Sequence, residues 1–210
     1  MLVNKLARYC WTRGGFSLVE LLVVLLLSSL LLAMVISLYV TGVSTGSKSL
    51  HYSRLRTDLQ SLMVMLETDI RRAGYSGGEG SYLVGVNGNK SIDINSSKDC
   101  IVYYYNHNNS ETVESSNKMA FSLKGGAIKF KSGVDPIANN VCAQVNGWTN
   151  ISDLNFVKIN TLFFSETVTS SASATLRNVE IELTGELVSD SDYQHSVASR
   201  VQIRNIELSD

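Results

Sequence analysis

The side chain that asks most of its surroundings is Glu20. It follows Arg13-Gly14-Gly15-Phe16-Ser17-Leu18-Val19 directly and opens a run of mostly apolar residues over 21–40. About 20 apolar residues suffice to cross a bilayer as a helix. A charged acid well inside lipid costs about 2.5 to 3.5 kcal/mol on insertion scales, so an acid there marks a functional site. The chemistry open to it is pairing with a dedicated positive partner, which points to assembly rather than turnover. A secretory leader also joins basic residues to an apolar stretch, but it is cut after that stretch, at small residues. Here the glycine pair comes first, and a cut at Gly15 leaves the hydrophobic segment on the product.

Elsewhere the residues that could do chemistry are scattered. His51, His107 and His195 lie far apart, and there is no His-Glu-x-x-His, no Gly-x-Ser-x-Gly and no phosphate loop of the Walker type. The histidines read as solvated surface. Asp190 and Asp192 alternate as calcium ligands can, but no loop glycine or terminal bidentate acid follows at the EF-hand positions, so they read as a polar turn between strands. Tyr103, Tyr104 and Tyr105 could stack on bases, yet adjacent tyrosines in a strand point to both faces, and at least one belongs in a core. No enzyme activity, no catalytic residue, no metal site and no cofactor is predicted.

The formal net charge of the chain is -1, with Lys5, Arg8 and Arg13 in the first 15 residues and no acid among them. Without that segment, 15 Lys plus Arg stand against 19 Asp plus Glu, a formal charge of -4. Nucleic acid is not indicated, because a broad footprint for it needs a basic face. Cations ahead of an apolar span hold the N-terminus in the cytoplasm, so the rest is expected to be exported.

These residues need a helix to carry them. No charge falls between Glu20 and Lys48, and proline is absent from the whole stretch up to residue 74. Beyond Lys48, Leu55, Leu59, Leu62, Leu66 and Ile70 step by four, three, four and four, which is one helical face. Arg71 and Arg72, then Gly74, Gly77, Gly78 and Gly80, end the helix near Ala73. Gly42 and Gly46 are its weak points, each costing about 1 kcal/mol against alanine. Residues 75–118 read as loops around short strands at 82–86 and 100–105. Segments 119–123 and 127–131 flank Lys124-Gly125-Gly126, a hairpin signal. Longer strands are expected at 157–164, 176–188 and 197–208, the second with Val179, Ile181 and Leu183 alternating with Glu180, Glu182 and Thr184. The apolar phase shifts between Val201/Ile203 and Ile206/Leu208, which predicts a bulge near Asn205. The fold class is α+β: one long helix packed on antiparallel sheet.

Gly15-Phe16-Ser17-Leu18-Val19-Glu20 resembles the type III leader junction of type IV pilins and type II secretion pseudopilins. The resemblance implies that a prepilin peptidase cuts after Gly15 and methylates the new N-terminus at Phe16. It also implies that Glu20 pairs with the terminal amine of a neighbouring subunit. A second likeness lies in Met65-Leu66-Glu67-Thr68-Asp69-Ile70-Arg71-Arg72-Ala73-Gly74-Tyr75, which resembles the segment closing the long helix in minor pilins of the PilW type. These are related to the J-type pseudopilins of type II secretion. Weaker likenesses are Asp99-Cys100-Ile101-Val102-Tyr103-Tyr104, Gly147-Trp148-Thr149-Asn150-Ile151-Ser152-Asp153 and Arg200-Val201-Gln202-Ile203-Arg204-Asn205. Residues 106–117 resemble nothing specific. The only proline is Pro136, whereas major pilins usually carry one midway along the membrane helix, so a minor subunit is the better fit.

The resemblance implies four segments: a cleaved leader, 1–15; a transmembrane or filament-core helix, 16–43; an amphipathic half-helix, 44–74; and a periplasmic or extracellular β-rich domain, 75–210. The partners implied are other minor pilins, the major pilin, the prepilin peptidase and the inner-membrane assembly platform. The subunit is expected as a single-pass inner-membrane protein that later joins a surface pilus, priming assembly and sitting at or near the tip. A pseudopilus subunit and a tip adhesin or DNA-binding module are the alternatives. With Cys10 in the leader, the exported part keeps Cys100 and Cys142. In an oxidising compartment they read as a disulfide, with two free thiols as the alternative. Closing that loop of about 43 residues stabilises by up to ~4 kcal/mol in the chain-entropy picture.

Overall fold

The structure, a computed structural model, describes residues 14–77, 90–110, 114–134, 137–172, 174–205 and 207–208. The strand expected at 82–86 lies outside these residues. Helix α1 spans Leu18–Arg71, and the chain divides into two compact units, Met1–Lys48 and Ser49–Asp210.

The first unit is helical from Leu18, and every described residue in it is exposed. Serine and threonine here are kept quiet by the helix itself: Ser28, Ser29 and Thr41 donate to the carbonyls of Leu25, Leu26 and Ser37 at 3.1, 2.8 and 2.9 Å. By length and composition the helix is long and apolar enough to cross a membrane.

In the second unit the leucine stripe behaves as its spacing demands. Leu55, Leu59, Leu62, Leu66 and Ile70 are buried, joined by Met63. Two antiparallel sheets pack with this face. The first runs in the order β1 (Ile92–Ile94), β2 (Cys100–Tyr104), β3 (Lys118–Lys124), β4 (Ala127–Ser132) and β5 (Thr149–Asn150). The second consists of β6 (Val157–Ser170), β7 (Ala174–Leu187) and β8 (Asp190–Gln202), with β9 (Glu207–Leu208) also paired to β7. Phe121 and Ile128 from one sheet and Phe164, Ile181, Leu183 and Val201 from the other share one core with the helix. The opposite face of the first sheet has its own small core, Val102, Tyr104 and Ala120 beneath Val134, Val141 and Trp148, roofed by the short helix α2 (Ala138–Cys142).

The hairpin at Gly125-Gly126 forms, and both glycines take positive φ, +63° and +76°, as a two-residue turn between twisted strands requires. Along β7, Val179, Ile181 and Leu183 are buried while Glu180 and Glu182 are exposed. Strand β6 outruns its expected end at residue 164. The polar, β-branched continuation to Ser170 has no apolar alternation to betray it but pairs fully with residues 175–180 of β7.

Where a bulge was expected near Asn205, the strand instead breaks. Between the pairs Asn178↔Gln202 and Thr175↔Glu207, β7 advances three residues and the tail five. The Ile203 amide still donates to the Arg177 carbonyl of β7, whereas the Arg204 amide and the Asn205 side chain turn to the end of α1.

Candidate functional site

Residues 14–17 precede the helix without regular structure. The first turn closes through the Leu21 amide, which donates to the Ser17 carbonyl at 3.1 Å. Gly14 and Gly15 have open space around them, and Phe16 is 81% exposed. Among the described residues nothing covers the Gly15-Phe16 junction. Glu20 lies in the first turn with its carboxylate exposed, where the positive end of the helix dipole favours an acid by about 0.3 to 1 kcal/mol. It is four residues from Phe16, and the next charge along the chain is Lys48. Whatever neutralises Glu20 in an apolar setting therefore does not come from the apolar helix that follows it.

The other end of α1 is closed by the two motifs that carried the finer resemblance. Gly74 takes φ +80°, and a β-carbon there would meet the Ser91 and Asn205 side chains at 3.1 and 3.2 Å. Its amide donates to the Tyr104 carbonyl at 2.8 Å. The Arg204 amide donates to the Arg71 carbonyl, and the Asn205 amide group reaches the carbonyls of Arg72 and Ala73 at 3.2 and 2.8 Å. These carbonyls lie at the helix end, where the helix's own ladder supplies no amide; that of Arg72 also accepts from the Tyr75 amide at 3.2 Å. Asn205 is therefore a cap reaching back across the whole domain. Nearby, the Tyr103 hydroxyl donates to Asp69 at 3.3 Å. Burial raises the Asp69 carboxyl above its ordinary range, against the hydrogen bond from Tyr103 and the charge of Arg72. Burial, reinforced by Asp69, pushes the Tyr103 hydroxyl well up.

The segment that resembled nothing specific has an internal logic. Asn106 is buried and donates to the carbonyls of Ser76 and Ser110 at 2.8 and 2.9 Å. Its Oδ1 accepts from the Ser110 amide and the Asn117 side chain at 3.0 and 2.9 Å. Ser110, Asn108 and Ser116 donate to Glu114 and hold its carboxyl below the usual range. Only a run of Asn and Ser at alternate positions hinted at this knot, and such runs are more often plain loop.

The remaining candidates stay apart. His51 meets the Phe156 ring, His195 lies 3.4 Å from the Tyr52 hydroxyl, and His107 lies beside Tyr105. Asp190 opens β8 after the two-residue turn at Val188-Ser189 rather than sitting in it. Tyr103 and Tyr104 are both buried, one in each core. Among the described residues no group of three or more His, Cys, Asp and Glu could hold a metal. Cys100 and Cys142 are bonded, with Cα atoms 6.1 Å apart, which ties β2 to the end of α2. A cross-strand pair between the buried Arg177 and Glu166 had no signal in the sequence.

A long helix on antiparallel sheet, preceded by an open Gly-Phe junction with an acid in the first helical turn, defines a pilin-like protein. The sequence profile of the prokaryotic N-terminal methylation motif matches residues 12–36. The profile of prepilin peptidase-dependent protein B matches residues 48–203, and the chain belongs to that family. No curated protein and no solved structure matches it. Members of pilin-type families are structural subunits, and proteins with a prepilin leader are processed by prepilin peptidase and assemble with other pilins.

Proposed function

We propose that this chain is a minor pilin of the PilW type in a type IV pilus, where it helps prime assembly and takes a place at or near the tip. In this reading the leader, 1–15, is removed after Gly15 and Phe16 is methylated. Residues 16–43 serve as inner-membrane span and then filament core, 44–74 as the amphipathic half of the helix, and 75–210 as the periplasmic, later surface-exposed, domain. The observation that carries it is the helix over residues 18–47: wholly exposed, uncharged after Glu20, and bearing that one acid in its first turn.

Such a surface is stable only in lipid or against like helices. Glu20 would leave lipid neutralised by the terminal amine of a neighbouring minor or major pilin at the assembly platform. The role supports adhesion, twitching motility or DNA uptake. Glu20→Ala is expected to impair methylation of Phe16 or incorporation of the subunit while the Ser49–Asp210 unit stays folded. Mass spectrometry of the mature N-terminus and recovery of the subunit in sheared filaments measure both. Normal methylation with normal piliation and normal subunit recovery would refute the role.

A further inference from the structure

At the exit of α1 lies a cavity of 360 Å³ whose lining includes Arg72, Tyr75, Tyr105, His107, Asn109 and Arg204, with no acid among the described lining residues. Three rings form one wall. Tyr75 and Tyr105 are tilted with centroids 5.8 Å apart, His107 follows Tyr105 at 6.4 Å, and the Arg72 guanidinium sits over the Tyr105 ring at 5.7 Å. The backbone beneath is fixed. Tyr75 and Tyr105 form a parallel bridge, the Asn106 amide donates to the Tyr75 carbonyl at 3.0 Å, and the buried Asn106 side chain ties residues 76 and 110 together. Asn109 is held at φ +52°. A cavity whose walls are braced this way loses little freedom on binding.

Folding alone does not account for its composition. Closure of the helix end is performed by Asn205 and by the Arg204 amide, which leaves the Arg204 side chain exposed. Tyr75 is 38% exposed. Arg72 has Asp69 at 3.9 Å, beyond hydrogen-bonding distance. Two arginines, an imidazole and one open tyrosine ring, Tyr75, backed by the half-buried Tyr105, thus gather on a chain whose net charge is negative.

Guanidinium forks match carboxylate and phosphate oxygens, and tyrosine offers a rigid amphipathic face with a polar tip. A nucleic-acid strand would need a track of cations to neutralise successive phosphates. This cavity supplies enough for one anionic group. We propose that it binds a single sugar ring bearing a carboxylate, the ring lying on Tyr75 and the acid held by Arg72 and Arg204. The proposal is independent of the position of the subunit in a filament.

The test is saturation-transfer NMR on the full chain in detergent micelles, with glucuronate, glucose, glucose 6-phosphate and a short single-stranded DNA as separate probes. Glucuronate is expected to receive saturation, and glucose to bind about tenfold more weakly, since a charged hydrogen-bonded pair is worth roughly 1.5 kcal/mol or more. Tyr75→Ala and Arg204→Ala are expected each to weaken glucuronate by about tenfold, while Arg200→Ala, on the outer strand β8, leaves it unchanged. Circular dichroism verifies that each variant is folded, and Arg204→Lys, which keeps charge but loses the fork, is expected to fall between. Equal binding of glucose and glucuronate, preference for glucose 6-phosphate, binding of DNA alone, or indifference to Tyr75→Ala and Arg204→Ala in folded protein would each overturn the proposal.

Discussion

Helix α1 answers one problem in two ways. In the Ser49–Arg71 part six side chains go into a core shared with both sheets, and polar residues take the other faces. In the Leu18–Lys48 part the side chains are more apolar still, yet none is buried. Burying one large aliphatic side chain is worth about 1.5 to 3 kcal/mol, so the first part carries a large unmet driving force and the second has already used its own. The difference shows that apolar surface on this chain has two destinations. The leucines of the second part hold the domain together, and those of the first are kept for lipid or for other subunits.

The sharpest way to break this contrast is to truncate one leucine in each part. Leu59→Ala is expected to destabilise the Ser49–Asp210 unit by about 2 to 5 kcal/mol, measured by urea unfolding of the full chain in detergent. Leu26→Ala should leave that transition in place, and an equal loss from both would erase the distinction. Next comes the bridge between β2 and α2. Cys142→Ser is expected to cost about 2 to 4 kcal/mol in the same assay, and a dithiol reductant should lower wild type to the level of the variant while leaving the variant unmoved.

A smaller effect is expected at the helix exit. Gly74→Ala forces a β-carbon onto Ser91 and Asn205 at positive φ, a cost of about 1 to 3 kcal/mol. Hydrogen exchange at residues 71–74 should rise more than exchange around Leu59.

The mildest effect is electrostatic. The folded-state pKa of Asp69 lies above its unfolded value, so its ionisation works against folding as pH rises from the unfolded value through the folded one. Asp69→Asn keeps an acceptor for Tyr103 and is expected to gain stability relative to wild type across that rise. Paired unfolding curves, one set below the ordinary carboxylate range and one at neutral pH, test the sign. Glu114 and Glu186, both depressed by hydrogen-bond donors, contribute oppositely, and their stabilisation fades as pH falls.

How much of this the chain announced depended on whether the cause was local. The leucine stripe, the Gly125-Gly126 turn and the Val179-Ile181-Leu183 alternation each follow from periodicity or from a glycine's freedom at positive φ, and each stands in the structure. The end of α1 was legible because arginines and Gly74 fall together. What closes it was not, since the cap comes from Asn205, and a phase shift in the tail reads equally as a bulge. The loop built on Asn106 was missed for the same reason. A buried amide looks like any polar loop residue until its four hydrogen bonds, to Ser76, Ser110 and Asn117, are in place.

Asn205 reaches Arg72 and Ala73 over sequence separations of 133 and 132 residues. In synthesis the helix therefore precedes its lock by more than 130 residues. Until residues 190–205 have been made and have folded back, the Ala73 carbonyl at the end of α1 lacks its cap and β7 lacks its outer strand β8. Completion of the domain is thereby written into its fold: a chain interrupted before Asp190 keeps an open helix end and a bare sheet edge, which set it apart from one that includes Asn205.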